Sequence, residues 1–225
     1  FSYQRRLTIV EGLRSADIVA IINDLPHLTG AIETIPDEGS LRPETYFYTY
    51  ATPRDDLIDR MQQTQQIALA EAWIDRAKDL PYDTPQNALI MASIIEKEAS
   101  VNADRRLVAA VLVNRLKRGM RLQSDPTVLY EAAASPQSPI PITKTHLKTK
   151  TPWNTYVIKG LPKTPICNPG DESLMAALNP ADSDYLYFVS DGKGGLRFAK
   201  TLDVHNRNVR LFRKFEAAAK KDKAQ

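Results

Sequence analysis

Two glutamates near the end of one helical stretch, Ile94-Ile95-Glu96-Lys97-Glu98, are the residues of this chain best placed to do chemistry. Thr84-Pro85 supplies a cap and a proline at the first helical position, so a helix is predicted from there to about Ala99. Leu89, Ala92 and Ile95 share one face of it, with Met91 and Ile94 alongside. Glu98 lies four residues after Ile94 and three after Ile95, so it projects from the edge of the apolar face. Glu96, three after Ser93 and four after Ala92, falls on a smaller and more polar flank. Both stand near the helix C-terminus, where the dipole disfavours negative charge. A carboxyl partly buried there has its pKa raised, and a general acid working near neutral pH needs that. The face argument prefers Glu98 and keeps Glu96 as the secondary candidate. The competing reading is that both are solvated, as most Glu-x-Glu pairs on helices are.

Other residues offer the groups a sugar would need. Asn114 and Gln123 carry both donors and acceptors for hydroxyl or N-acetyl groups, with Ser124 beside them. Asp125, before Pro126, either caps a helix or takes part in a site. Trp153-Asn154-Thr155-Tyr156 sets aromatic faces next to amide and hydroxyl groups, a surface suited to pyranose rings. The stretch from Leu41 to Tyr48, with Tyr46 at its centre, reads either as a loop pinned by aromatics or as a wall of a sugar cleft. His27, His146 and His205 match no metal motif and are expected in surface or structural roles. No metal and no cofactor is expected, because phosphate-binding glycine loops and nucleophile elbows are absent from the sequence. The lone Cys167 has no partner for an intrachain disulfide and reads as a packing residue.

The elements that must hold these groups are mostly helices. A strand over Arg5 to Val10 and a helix over Ala16 to Leu25, capped by Ser15, form a small first unit, and Gly30 to Tyr50 reads as irregular. Helices are then predicted from Thr52-Pro53 to about Asp79, from Pro85 to about Ala99, from Ala103 to Arg118 with Gly119 as its stop, and from Ser124 to near Ala134. A proline-rich connection covers Ser135 to Gly170; connections of that length inside a compact domain are usually functional. A short helix over Glu172 to Leu178, a hairpin of Tyr185–Ser190 with Leu196–Ala199, and a helix from Leu202 complete an α+β chain that is mainly helical. Disorder is expected only from Ala217 to Gln225.

The bulk numbers exclude several classes. The 225 residues carry a net charge of +3, with basic residues dispersed rather than gathered, which speaks against nucleic acid. The Arg115-Leu116-Lys117-Arg118 cluster reads as a solvated helix end. No apolar run is long enough to span a membrane. The chain starts at Phe1 within a strand-like segment and reads as a piece of a longer protein whose anchor or export signal lies elsewhere.

Taken together, the runs Met91 to Glu98, Val113 to Leu116, Gly119 to Val128, Trp153 to Tyr156, Gly160-Leu161-Pro162, Pro165-Ile166, Asn168-Pro169-Gly170, Tyr185 to Val189, and Thr201 with His205-Asn206 resemble the YceG-like, or MltG, family of endolytic murein transglycosylases. Their order and spacing fit from about Arg6 to the final helix. The resemblance implies a lyase with a lytic-transglycosylase-like catalytic domain over residues 29–225, preceded at 1–28 by the end of a LysM-like module. It implies Glu98, followed by the small Ala99, as the single catalytic acid/base. The substrate would be peptidoglycan glycan strands, cut at the β-1,4 bond between N-acetylmuramic acid and N-acetylglucosamine to leave 1,6-anhydro ends and to stop strand elongation. Peptidoglycan synthases are implied as partners. The implied location is the bacterial inner membrane, crossed once by an N-terminal anchor, with the catalytic domain on the periplasmic side. Two positions depart from the family pattern: Leu196-Arg197-Phe198 lacks a histidine that many relatives have after the hairpin glycines, and Trp153 replaces a more usual tyrosine. Two rival readings remain: a non-catalytic glycan-binding scaffold, and a muramidase-type hydrolase that pairs Glu98 with Asp125.

Overall fold

A computed structural model describes residues 3–99, 102–132 and 140–222. The first unit begins with β1, Arg5–Thr8, and α1, Ser15–Asp24. Arg14 rather than Ser15 precedes α1, and its backbone N–H donates to the Asp17 carboxylate. Ser15 spends its hydroxyl elsewhere, donating to the backbone oxygen of Asp37. Ile18 and Ile22 face the core, whereas Ile21 lies at the surface. After β2, Leu28–Thr29, the stretch expected to be irregular contains a strand, β3, Thr45–Tyr48, antiparallel to β1 with Leu7 opposite Tyr46. Its side chains alternate, Tyr46 and Tyr48 inward and Phe47 51% exposed. The unbroken aromatic run hides that period of two in the sequence.

Thr52–Pro53 forms β4, parallel to β2, so Pro53 caps α2, Arg54–Ile74, rather than starting it. The helix also stops short of the expected Asp79. Arg54 donates to the backbone oxygens of Ile22, Asn23, Leu25, Leu28 and Gly30, tying α2 to the end of α1 and to β2. The core beneath is built from Leu7, Ile18, Ile22, Leu41, Tyr46, Leu57 and Met61.

The second core is organised by α3, Pro85–Glu98. The Thr84 hydroxyl accepts from Asn87 N–H and Pro85 sits in the first turn, as the sequence predicts. Ala88 to Ile95 are buried without interruption, so the helix is covered on several sides. Its cover comes from α2, from α4, Asn102–Lys117, from α5, Asp125–Ala132, and, beyond the short α6, Lys144–Lys148, from α7, Asp171–Leu178. The expected end of α5 near Ala134 and the start of the proline-rich connection lie outside the described residues. The rest of that connection packs against α3: Ile166 N–H donates to Ser93 Oγ, and Cys167 is fully buried at Ser93, its thiol pushed up in pKa by burial.

Asn168 in this connection joins the two cores. Its backbone N–H donates to Leu13 O and its backbone oxygen accepts from Gly12 N–H, both at 2.8 Å. Its side chain accepts from Leu41 N–H and donates to Leu13 O, Ser15 Oγ and Glu38 Oε1. The chain ends in the hairpin of β5, Tyr187–Ser190, and β6, Leu196–Ala199, against which α8, Leu202–Asp222, packs. The helix carries on through most of the segment expected to be disordered; its last positions, 223–225, lie outside the described residues. The architecture is α+β, mainly helical, with three small two-stranded sheets among the described residues.

Candidate active site

Glu98 is the last residue of α3, one step beyond the buried Ile94 and Ile95. It sits on the floor of a cavity of about 360 Å³, shared with Leu112, Arg115, Leu122, Gln123, Asp125, Tyr156, Phe188 and His205. Four separate parts of the chain meet there: α3, α4, the 122–125 turn and the α8–hairpin unit, with Tyr156 closing one side.

The turn is what brings a polar partner to Glu98. Gly119, at φ +65, ends α4 in the left-handed conformation that the sequence predicts. Gln123 is also left-handed, at φ +53, a conformation costing a non-glycine residue about 1 kcal/mol or more. Thr155 holds the strained turn: its backbone oxygen accepts from Gln123 N–H, and its hydroxyl accepts from Ser124 N–H and bonds the Thr127 hydroxyl. Ser124 Oγ is thereby aimed at Glu98 Oε1, to which it donates at 2.7 Å. Asp125 is the first residue of α5; its carboxylate accepts from the Tyr156 hydroxyl at 2.6 Å, so it belongs to the cavity.

The electrostatics follow from burial. Glu98 has its pKa raised to about 7, mainly by desolvation and further by the Asp125 charge; the Ser124 hydrogen bond and Arg115 oppose the rise. The Tyr156 phenol is pushed up by burial and by its bond to Asp125, which keeps it a neutral donor. A carboxyl that is half protonated near pH 7 and exposed to a cavity can both give and take a proton at a bound molecule. The neighbours make opposite predictions for its titration. Ser124→Ala removes a bond that favours the carboxylate and moves the Glu98 pKa further up. Asp125→Asn removes a repelling charge and moves it down. Titration of the Glu98 carboxyl by isotope-edited NMR in both variants checks the two signs.

Of the sequence candidates, Glu98, Gln123, Ser124, Asp125 and Tyr156 come together. Glu96 does not: it points to the other side of α3, where Oε1 accepts from Arg105 Nη2 at 3.2 Å and Oε2 accepts from Gly170 N–H at 3.0 Å. Asn114 spends its amide on the backbone oxygens of Ser183 and Tyr185, fixing the approach to β5. Trp153, partly buried, packs on Tyr130, with ring centroids 5.5 Å apart, and donates to Thr164 Oγ1, which places it against the core and outside the Glu98 cavity. Asn154 is 2% exposed and binds the backbone oxygens of His146 and Thr149. Tyr46 lies in the first core with its hydroxyl donating to Arg42 O, and is not among the residues lining this cavity.

Two lining residues were read otherwise from the sequence. Arg115 is no solvated helix end; it is 9% exposed, and donates from Nε to Leu186 O and from Nη1 to Leu122 O, with Tyr187 under its guanidinium. His205 arrives from α8, its ring stacked on Tyr187 at 5.2 Å. The only sequence signal for either was membership of the runs that carry the resemblance.

The fold and the site together define a cleft with the Glu98 carboxyl at the end of one buried helix and Asp125 across from it in the lining. The chain belongs to the YceG-like family, whose sequence profile matches residues 2–211. It is 40% identical over 173 residues to the endolytic murein transglycosylase of Bacillus subtilis (strain 168), covering 76% of this chain and 47% of that protein. It is 34% identical over 176 residues to the protein of the same name from Streptococcus pneumoniae serotype 2, covering 76% of this chain and 31% of that protein. The chain thus spans about half the length of the Bacillus relative, and less of the other. The crystal structure of a YceG-like protein from Listeria monocytogenes shares the fold, with a TM-score of 0.71 and 32% identity over 90% of this chain and 74% of that one.

Proposed function

We propose that this chain is the catalytic part of an endolytic peptidoglycan lytic transglycosylase, with Glu98 as its single acid/base. The observation that carries the reading is a carboxyl held near pH 7 in an open cavity, in a chain of the YceG-like family with relatives named endolytic murein transglycosylases. Protonated Glu98 donates to the bridging oxygen of the β-1,4 bond as the bond to C1 of the muramic ring breaks. The carboxylate left behind accepts the proton of that ring's 6-hydroxyl while O6 bonds C1. The product is a 1,6-anhydro end and no water is consumed. The nucleophile is tethered to its own electrophile, so effective molarity does what a second carboxylate does in ordinary glycosidases. Asp125, fixed by Tyr156, supplies negative charge for the oxocarbenium-like transition state. Gln123 and Tyr156 position the sugar, and Ser124 orients Glu98.

The N-terminal unit fits the LysM-like module of the same reading, with β1 and β3 as its antiparallel strands around α1. Its strand β3 and its core reach past residue 28, so we draw the module beyond that point. Extracytoplasmic action follows from the substrate. The N-terminal anchor and the synthase partners are implied by the resemblance; among the described residues no helix is long and apolar enough to cross a membrane.

Mass spectrometry of products from purified glycan strands tests the reaction. Anhydro-muropeptides are expected. Ends carrying a free reducing sugar, lost in Asp125→Asn, would instead establish the hydrolase that shares this cavity between Glu98 and Asp125. Binding without cleavage by the full-length protein would establish a scaffold.

A further inference from the structure

The His205 imidazole is a polar group the reaction scheme above does not use. It lines the Glu98 cavity from α8. Nδ1 is buried without a partner. A buried orphan acceptor is more tolerable than a buried orphan N–H, which places the ring proton on Nε2, the nitrogen left for the cavity. Burial and the nearby Arg115 charge both lower the pKa of the ring, so it is a neutral donor at neutral pH. Its stack on Tyr187, itself under the Arg115 guanidinium, fixes the ring plane. The same cavity has an apolar wall made of Leu112, Leu122 and Phe188. A fixed neutral N–H beside an apolar wall matches a group with a carbonyl oxygen and a methyl on the same carbon, which is the acetamido group of an N-acetylated sugar.

Resting on the transglycosylase reading of this site, we propose that His205 binds substrate, its Nε2–H donating to the acetamido carbonyl oxygen while Leu112, Leu122 and Phe188 pack the methyl. The site therefore selects glycan strands by their N-acetylation. A site that must hydrogen bond a substrate group loses more than the bond when that group is missing, since its own polar atom is left unpaired.

The experiment compares kcat/KM on N-acetylated strands and on strands with acetyl groups removed, for the parent, His205→Ala, His205→Asn and His205→Gln, with melting curves for each. His205→Ala should lose roughly tenfold or more on acetylated strands, mostly in KM, and little on de-N-acetylated strands. His205→Gln, whose amide reaches to about the place of Nε2, should recover much of the loss; His205→Asn, too short, should not. An equal loss on both substrates, or none on acetylated strands, overturns the assignment. If His205→Ala melts early, the contrast between Gln and Asn decides: equal behaviour of the two on acetylated strands overturns it. Glu98→Gln serves as the separate control. If that variant cleaves at the parent rate, the reading of the site fails; if it is inactive and the His205 variants do not discriminate, only the acetamido assignment fails.

Discussion

Glu98→Gln is expected to lose about 10³-fold or more of the anhydro-product rate while becoming more stable at alkaline pH. Both effects come from one cause. Glutamine has the shape of the acid and can still accept from Ser124, but it has no acidic proton to give and cannot take one. The stability effect follows from linkage. The Glu98 pKa is about 7 in the folded chain against an ordinary value of 4.5, so folding favours the protonated form. The parent therefore has its full stability below about pH 4.5 and loses part of it as pH rises through about 7. A shift of that size corresponds to about 3 kcal/mol, and the variant, always neutral, escapes the loss. Thermal melts should show the variant several degrees above the parent at pH 8 and level with it at pH 4. A variant that melts lower at pH 8, or one that still releases anhydro ends at the parent rate, contradicts the assignment of Glu98 as the buried acid.

The neighbouring glutamate should behave in the opposite way. Glu96 and Arg105 are both largely buried and face each other at 3.2 Å, with Gly170 N–H on the second carboxylate oxygen and Ser173 Oγ on the guanidinium. Removing one charge of a buried pair typically costs about 3–5 kcal/mol when nothing else balances the other; here Glu11 Oε2, 3.9 Å from Arg105 Nη2, offsets part of that. Glutamine can still accept from Gly170, so Glu96→Gln should fall near the lower end. Its denaturant midpoint should drop clearly, whereas activity per folded molecule should stay within about threefold of the parent, because Glu96 lies outside the cavity. A large loss of activity in a fully folded Glu96→Gln protein would make Glu96, not Glu98, the acid. The two variants thus separate what a two-residue step on α3 does: one carboxyl holds the fold together and the other is held by it at a cost.

That division was partly legible in the sequence. The Thr84-Pro85 start and the Met91, Ile94 and Ile95 spacing were enough to orient α3, and Glu98 follows from that orientation because it extends the buried stripe. The hairpin was legible because Asp191 to Gly195 is turn-rich between two apolar runs. Other candidates lie outside the Glu98 cavity for definite reasons. Asn114 and Asn154 have side chains suited to a sugar, yet the approach to β5 and the backbone of the proline-rich connection take the same donors, and Trp153 gives its indole N–H to Thr164 Oγ1. Arg115 read as a solvated cation because helix ends usually are; its carbonyl partners come from the loop after its own helix and from the start of the hairpin, a contact no local pattern encodes. His205 is carried to the cavity only by the packing of α8 on β5 and β6.

Asn168 has a consequence for the molecule as a mechanical object. Its backbone and its side chain together pin the Gly12, Leu13 and Leu41 backbones and the Ser15 hydroxyl to the connection that also grips α3 at Ser93. Lys97 adds a strut, its ammonium donating to Gly12 O one residue before the acid. The N-terminal unit is consequently no bead on a string. A force or a partner acting on that unit would therefore also act on the bearing of the Glu98 cleft, as a bracket sets the angle of a blade.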